Sequence, residues 1–345
     1  TERSLRRDIV EGAWAAGEKL PTYDELEGRY GLSRLMLQQA VRRLKQDGFV
    51  IGRERQGLFV SPDCPHQGRL GLVLPQGVGN TRFWREIDKA ARAACASAGK
   101  TLAVYDDLEN SEATLARLVA DVEGYMVTGL LVPFPPDALP RLAPALAEAH
   151  VPCAVFDAPA AANVLPVALD DRQLAAKGAA WLAGQGARRI AYFGNYRETE
   201  GIAPAFAAAA GAAGLEAPAG QRFSLYLENL SVVEKIVGLL LSLPAAERPD
   251  GIFIGDDNLV AAVLRGVIAR GVRVPDELKI ASHCNWPADD LGLLPVEYFG
   301  YDLRGLVEET LRRFAAFHAG NGLGEALVVP ALAAAELPPA RRGKK

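Results

Sequence analysis

A chain of 345 residues is longer than one ordinary domain, and with half of its residues apolar it can bury two or three separate cores. Aromatic residues make up 7% and charged residues 23%, and no apolar run reaches the roughly 18 to 20 residues needed to cross a bilayer, which sets aside membrane-spanning classes. The net charge of −4 argues against nucleic-acid binding by the whole surface, but residues 1–60 carry eleven Lys and Arg against nine Asp and Glu while the remainder carries 27 against 33, so a basic head precedes an acidic body.

The opening Thr1-Glu2-Arg3-Ser4-Leu5-Arg6-Arg7 leads into an amphipathic stretch with no apolar signal core, which points to the cytoplasm. Leu5 and Ile9 form an i, i+4 apolar pair, and Gly12 and Gly17 bracket a break around Trp14. Thr22 stands three residues before Glu25, the spacing of a capping box, and predicts a second helix with Leu26 and Tyr30 on one face and Gly31 as its stop. Ser33 is placed to cap a third helix with Leu37, Val41 and Leu44 at i, i+4 and i+7. Two apolar runs, Phe49-Val50-Ile51 and Leu58-Phe59-Val60, flank Gly52-Arg53-Glu54-Arg55-Gln56-Gly57 and predict a β-hairpin with a basic tip. Together these make a helix-turn-helix with a wing.

The third helix presents Arg34, Gln38, Gln39, Arg42, Arg43 and Lys45 opposite its apolar stripe. Arg grips guanine or phosphate and Gln reads adenine, so this face suits a recognition helix, although an isolated charge run is more often a solvated helix face. The order of motifs decides between the two. The strings G-x-x-x-x-G-x-x-L-P-T-x-x-E-L, Y-G-L-S-R, A-V-R-R-L-x-x-x-G-F-V and G-L-F-V together resemble the winged helix of the GntR family over residues 1–60. By that resemblance Ser33 and Arg34 open the recognition helix; with Gln38, Gln39 and Arg42 of its exposed face, Arg53 and Arg55 of the basic hairpin tip, and Thr22, they are the expected contacts to double-stranded operator DNA. The family often carries a second Arg where Gln38 stands.

Residues 61–68 contain two prolines and little apolar character, as a linker should. From Arg69 onward, short buried-strand runs such as residues 70–74, 101–105 and 129–132 alternate with helical stretches, and the rhythm resumes at residues 189–193, 251–254 and 278–281. Such alternation gives parallel sheets covered on both faces, and about eight units suit two similar lobes. The strings Gly184-Gln185-Gly186-Ala187-Arg188-Arg189-Ile190-Ala191, Arg248-Pro249-Asp250-Gly251-Ile252-Phe253 and Gly271-Val272-Arg273-Val274-Pro275-Asp276-Glu277-Leu278 resemble the effector domain of LacI-type regulators, a periplasmic-binding-protein-like fold. The whole resembles arabinose-type repressors. The resemblance implies an α/β fold with two lobes joined by three crossovers: lobe 1 near 69–166 and 299–320, lobe 2 near 167–298 and 321–345. A homodimer is expected as well, because one recognition helix per chain reaches only a few base pairs and a second copy must read a matching half-site.

Ligands of open α/β sheets bind beyond the carboxyl ends of the strands. The residues expected there are Asn80, Phe83, Trp84, Phe134, Asp157, Asn195, Arg197, Asp256, Asn285 and Trp286. Aromatic faces mixed with amides and charges suit a sugar or sugar derivative, with Trp286 and Arg197 expected to hold it, although each aromatic could equally be core. Ser282-His283-Cys284-Asn285 replaces the Gly-Phe-Asp segment of the resembled domains, so a sugar-binding Asp is absent. An enzyme is the rival class. Gly77-Val78-Gly79-Asn80-Thr81-Arg82 carries only the first part of a dinucleotide fingerprint, and Asp256-Asp257 suits a helix start better than a magnesium site. Cys64, Cys95, Cys153 and Cys284 lie far apart, which predicts free thiols and no metal or other cofactor.

Overall fold

The computed structural model describes residues 2–74, 81–133, 139–161, 163–196, 201–288 and 294–339. Helix α1 (Glu2–Val10) buries Leu5 and Ile9, the pair its spacing predicts, together with Arg6. Helix α2 (Tyr23–Tyr30) begins in the expected capping box: the Glu25 carboxylate accepts from the Thr22 amide at 2.7 Å, and the Thr22 hydroxyl accepts from the Glu25 amide at 3.4 Å. Gly31 closes it at φ 63, a left-handed cap that costs glycine little. Helix α3 (Arg34–Gln46) buries Leu37, Ala40, Val41 and Leu44. Ser33 occupies its cap position with extended backbone, but its hydroxyl makes no capping bond, contrary to expectation. Strands β1 (Val50–Arg53) and β2 (Gly57–Val60) pair antiparallel as the wing, with Val50 opposite Val60 and Arg53 opposite Gly57.

Residues 61–68 are no loose linker. Ser61, Cys64, Pro65 and His66 are buried, and Pro65–Gly68 forms the short helix α4. The His66 ring stacks on Phe49 at 5.9 Å, and the Ser61 amide donates to the Phe49 carbonyl at 2.8 Å. Burial, and then the charge of His318, lower the His66 pKa to about 4, so the ring stays neutral in its packed site. Composition suggested a spacer because two prolines and a histidine carry little apolar signal; tertiary stacking is what buries them.

The head is joined further by Arg6. Its guanidinium, 6% exposed, donates to the Gly124 carbonyl at 2.7 Å and to Glu2 at 2.7 Å, pairs with Asp47, and lies 4.8 Å from the centre of the Phe49 ring. One apolar cluster runs continuously from Leu5, Leu37 and Phe49 of the head to Leu118, Val122 and Val127 beyond it.

The first large sheet contains β3 (Arg69–Val73), β4 (Thr101–Tyr105), β5 (Gly129–Val132), β6 (Cys153–Phe156), β7 (Val164–Leu169) and a short late strand, Leu327–Val329. Helices α5 (Arg82–Ser97), α6 (Glu112–Glu123) and α7 (Leu139–Glu148) connect them. The second contains β8 (Ile190–Asn195), β9 (Arg222–Leu225), β10 (Gly251–Ile254), β11 (Lys279–Trp286) and β12 (Glu297–Asp302), with α8 (Asp171–Gly184), α9 (Ile202–Ala212), α10 (Leu230–Leu240) and α11 (Val260–Ala269) between and around them. Helix α12 (Leu303–His318), strand β13 (Leu327–Val329) and strand β14 (Ala331–Ala333) finish the chain. The orders are β13-β7-β6-β5-β3-β4 and β14-β12-β11-β10-β8-β9, and β14 is antiparallel to β12. Every residue of β5, β6 and β10 is buried, the pattern of parallel strands covered on both faces.

Contacts divide the chain into one unit of residues 1–80, 88–167 and 307–327 and another of 81–87, 168–306 and 328–345. The head thus groups with the first sheet. Re-entry into that unit, expected near Phe299, comes at Val307, because residues 298–301 belong to a strand of the second sheet. Gly300 permits this pairing: a Cβ there would lie 1.9 Å from the Cys284 carbonyl oxygen on the neighbouring strand. All four cysteines are free and buried, and burial raises the thiols of Cys64 and Cys95 to about 11 and that of Cys153 to about 12.

Candidate functional site

The exposed face of α3 lies opposite the stripe that packs on α1 and α2. Arg34, Gln38, Gln39 and Arg42 are all exposed on it. The Arg34 guanidinium donates to the Asp24 carboxylate at 2.6 Å and sits 5.5 Å from the Tyr23 ring centre, so it is held near the start of α2. Both partners are exposed, and such a pair exchanges readily for another anion. Arg53 of the wing lies 4.2 Å over the Phe59 ring, while Arg55 occupies the hairpin tip at φ 59. Thr22 is exposed, with its hydroxyl also donating to Glu25 at 2.8 Å. Because the Ser33 hydroxyl makes no cap bond, the first amides of α3 lack that side-chain acceptor. Backbone amides at a helix start favour a phosphate oxygen.

A second constellation forms where the second sheet's strands end. Asp256 and Asp257 follow β10 and are 4% and 6% exposed. One Asp256 oxygen accepts from the Asn258 amide at 2.8 Å and from its side chain at 2.7 Å, and the Asn258 side chain accepts from the Arg82 amide at 2.8 Å. Asn285, on β11, donates to Asp257 at 3.1 Å, and its own side-chain oxygen is buried without a partner. Burial raises the Asp257 carboxyl to about 6, opposed by the charge of Arg82; burial and the charge of Asp257 also push Asp256 above its ordinary range. Next to them His283 has both ring nitrogens buried without a hydrogen bond, and its ring lies 5.6 Å from that of Tyr301, whose hydroxyl donates to Asp171 at 2.6 Å. Burial holds His283 below the usual imidazole range, against the charges of Asp256 and Asp171. Most of these side chains are acceptors, so they match a ligand rich in hydroxyl or amine donors.

Of the expected ligand residues, Asp256, Asn285 and Asn195 fall at strand ends of this unit, with Phe83 and Trp84 in the first turn of α5. Those two rings meet edge to face at 5.4 Å, Phe83 half-buried and Trp84 buried. Asp157 follows β6 in the other unit, at φ 52 and exposed. Asn80, Phe134 and Arg197 lie outside the described residues, as does most of the 77–82 string. Trp286 corrects the expectation: it is 2% exposed within the apolar core, and its indole N–H donates to the Leu332 carbonyl at 2.9 Å, so its donor is already spent. Residue type alone did not reveal Asp257, Asp171 and Tyr301 as partners at this site; their pairings come from strand order. Tyr196 and Tyr226 were also missed. They follow β8 and β9 as neighbours in the sheet, remain exposed, and bring their rings within 4.6 Å.

Among the described residues no His, Cys, Asp and Glu group could hold a metal ion, and no helix is long and apolar enough to cross a membrane.

Residues 1–60 match the bacterial regulatory proteins of the gntR family, and residues 179–296 match the periplasmic binding protein-like domain. A probable fructoselysine utilization operon transcriptional repressor from Escherichia coli (strain K12) is 38% identical over 56 residues, 16% of this chain. The match spans only 23% of that relative's length. Among solved structures, a transcriptional regulator CelR–cellobiose complex aligns with 94% of this chain and 100% of its own at a TM-score of 0.59 and 19% identity. A periplasmic binding protein/LacI transcriptional regulator from Alkaliphilus metalliredigens QYMF, complexed with D-xylulofuranose, covers 76% of this chain and 97% of its own at a TM-score of 0.56 and 17% identity. The chain thus joins a GntR-type winged helix-turn-helix to a two-lobed α/β domain of the LacI and periplasmic-binding-protein fold.

Proposed function

We propose that this chain is a cytoplasmic transcriptional repressor that binds double-stranded operator DNA through residues 1–60 as a homodimer and responds to a small polar effector, a sugar or sugar derivative. The exposed face of α3, with Arg34, Gln38, Gln39 and Arg42 beside a basic wing, is the observation that carries the reading. One recognition helix spans only a few base pairs, so a second copy on a matching half-site supplies the specificity. Arg34 is the expected base or phosphate contact, and it must leave Asp24 to make it.

The test is selection of duplexes from a random pool, followed by binding measurements. Arg34→Ala should weaken the selected operator by about 1 to 3 kcal/mol, roughly five- to 160-fold, if this guanidinium reads a base. Unchanged affinity would remove Arg34 from the interface.

The effector reading rests on the buried acceptors at the strand ends, Asp256 and Asn285, with the neighbouring tyrosines Tyr196 and Tyr226 as aromatic faces for sugar C–H groups. Support also comes from the sugars bound in the two similar structures. A thermal-shift screen of sugars, sugar acids, polyols and nucleosides should find a ligand that at about 100 times its dissociation constant adds about 2.7 kcal/mol to stability. Asn285→Ala should reduce that shift and leave operator binding without ligand unchanged. If the variant is stabilised as strongly as the parent, the ligand binds elsewhere.

A further inference from the structure

Two large apolar side chains stand in solvent on the first turn of α3: Leu35 is 65% exposed and Met36 48%. A single exposed leucine is ordinary, but the position of this one is specific. Residues 35, 39, 42 and 46 succeed one another at four-, three- and four-residue steps, so Leu35, Gln39, Arg42 and Gln46 form one line along the helix. That line is opposite the buried Leu37, Val41 and Leu44. Leu35 therefore heads the outermost row of the helix, in line with a side chain suited to adenine and another suited to guanine or phosphate.

The surroundings name the occupant. Arg34 and Arg42 on α3 and Arg53 and Arg55 on the wing are exposed, so whatever covers Leu35 is anionic at its rim. At its centre it must offer an apolar group small enough to leave Gln39 its hydrogen bonds. Duplex DNA combines phosphates at the rim with one such group on the floor of its major groove, the C5 methyl of thymine. Double-stranded RNA offers neither that methyl nor a major groove that side chains can enter.

We propose that Leu35, with Met36 at its edge, is a specificity residue that packs on a thymine methyl in the major groove, one contact in each half-site. This rests on the reading above that α3 enters operator DNA, and it assigns part of the base preference to an apolar contact.

The experiment uses the full chain and the operator recovered from the random pool, resynthesised with deoxyuridine replacing thymine at one position per half-site at a time. Deoxyuridine removes only the methyl. At one position the wild type should lose about fourfold in affinity per half-site, the ratio corresponding to the ~0.8 kcal/mol of a buried methyl group. Leu35→Ala, whose fold is checked by circular dichroism, should bind the thymine and uracil duplexes equally. Wild-type indifference to every replacement would overturn the inference while leaving DNA binding intact, and a Leu35→Ala protein that keeps the sensitivity would overturn it for Leu35. Failure of any duplex to enrich would overturn the DNA reading itself, and the inference with it.

Discussion

Replacing Arg6 with alanine is expected to destabilise the first unit by about 3 kcal/mol, the low end of the cost of removing one partner from a buried ionic cluster. The guanidinium ties its own helix, through Glu2, to the turn after α3, through Asp47 and Phe49, and to the end of α6, through the Gly124 carbonyl, with only 6% of its side chain exposed. Its loss leaves the Gly124 carbonyl without this donor and Asp47 without the Arg6 countercharge, while Glu2 keeps its 3.1 Å pair with Arg43. Glu2 and Asp47 are partly exposed and can rehydrate, which keeps the cost from the upper end of the range. Urea unfolding measures the difference, and proteolysis within residues 61–68 reports whether the head loosens. Arg3→Ala is the control, because its 3.0 Å bridge to Glu148 is exposed at both ends and should contribute less than about 1 kcal/mol. Equal stability of the two variants would show that Arg6 does not hold the head in place.

The second large effect is an increase in stability. Asp257 titrates near 6 in the folded chain against an ordinary value of 3.8, so between those limits the folded state binds more protons than the unfolded one. Stability from this group is complete below about pH 4 and is lost as pH rises through about 6, a difference of about 3 kcal/mol. Asp257→Asn removes the charge while keeping an oxygen for the Asn285 donor. At pH 8 the variant should be more stable than the parent by about 3 kcal/mol, and the advantage should vanish near pH 4. Urea midpoints across that range decide the matter; a variant weaker than the parent at pH 8 would mean that the carboxylate is better solvated or paired than its burial implies.

The head was legible from sequence because its signals are local. Thr22 and Glu25 find each other within one turn, Gly31 needs only its own φ, and the stripe Leu37, Val41, Leu44 is set by helix periodicity. Strand and helix alternation likewise reports parallel sheets without knowledge of their order. What stayed hidden depends on distant residues. His66 is buried because Phe49 lies beneath it, and Trp286 belongs to the core because the Leu332 carbonyl reaches its indole. Residues 298–301 could serve either sheet until Gly300 is seen against Cys284. Asp257 with Asn285, and Asp171 with Tyr301, become pairs only when strand order is known.

The buried joint at residues 61–68 bears on attempts to exchange heads between regulators. A cut at Val60, where the motif ends, would divide a shared interior and leave Val122 and Val127 facing residues they were not shaped to meet. A working chimera would have to carry the joint with the head and rebuild the turn that presents Gly124 and Met126 to Arg6. The natural seam for recombination in this chain therefore lies away from the end of its most recognisable motif.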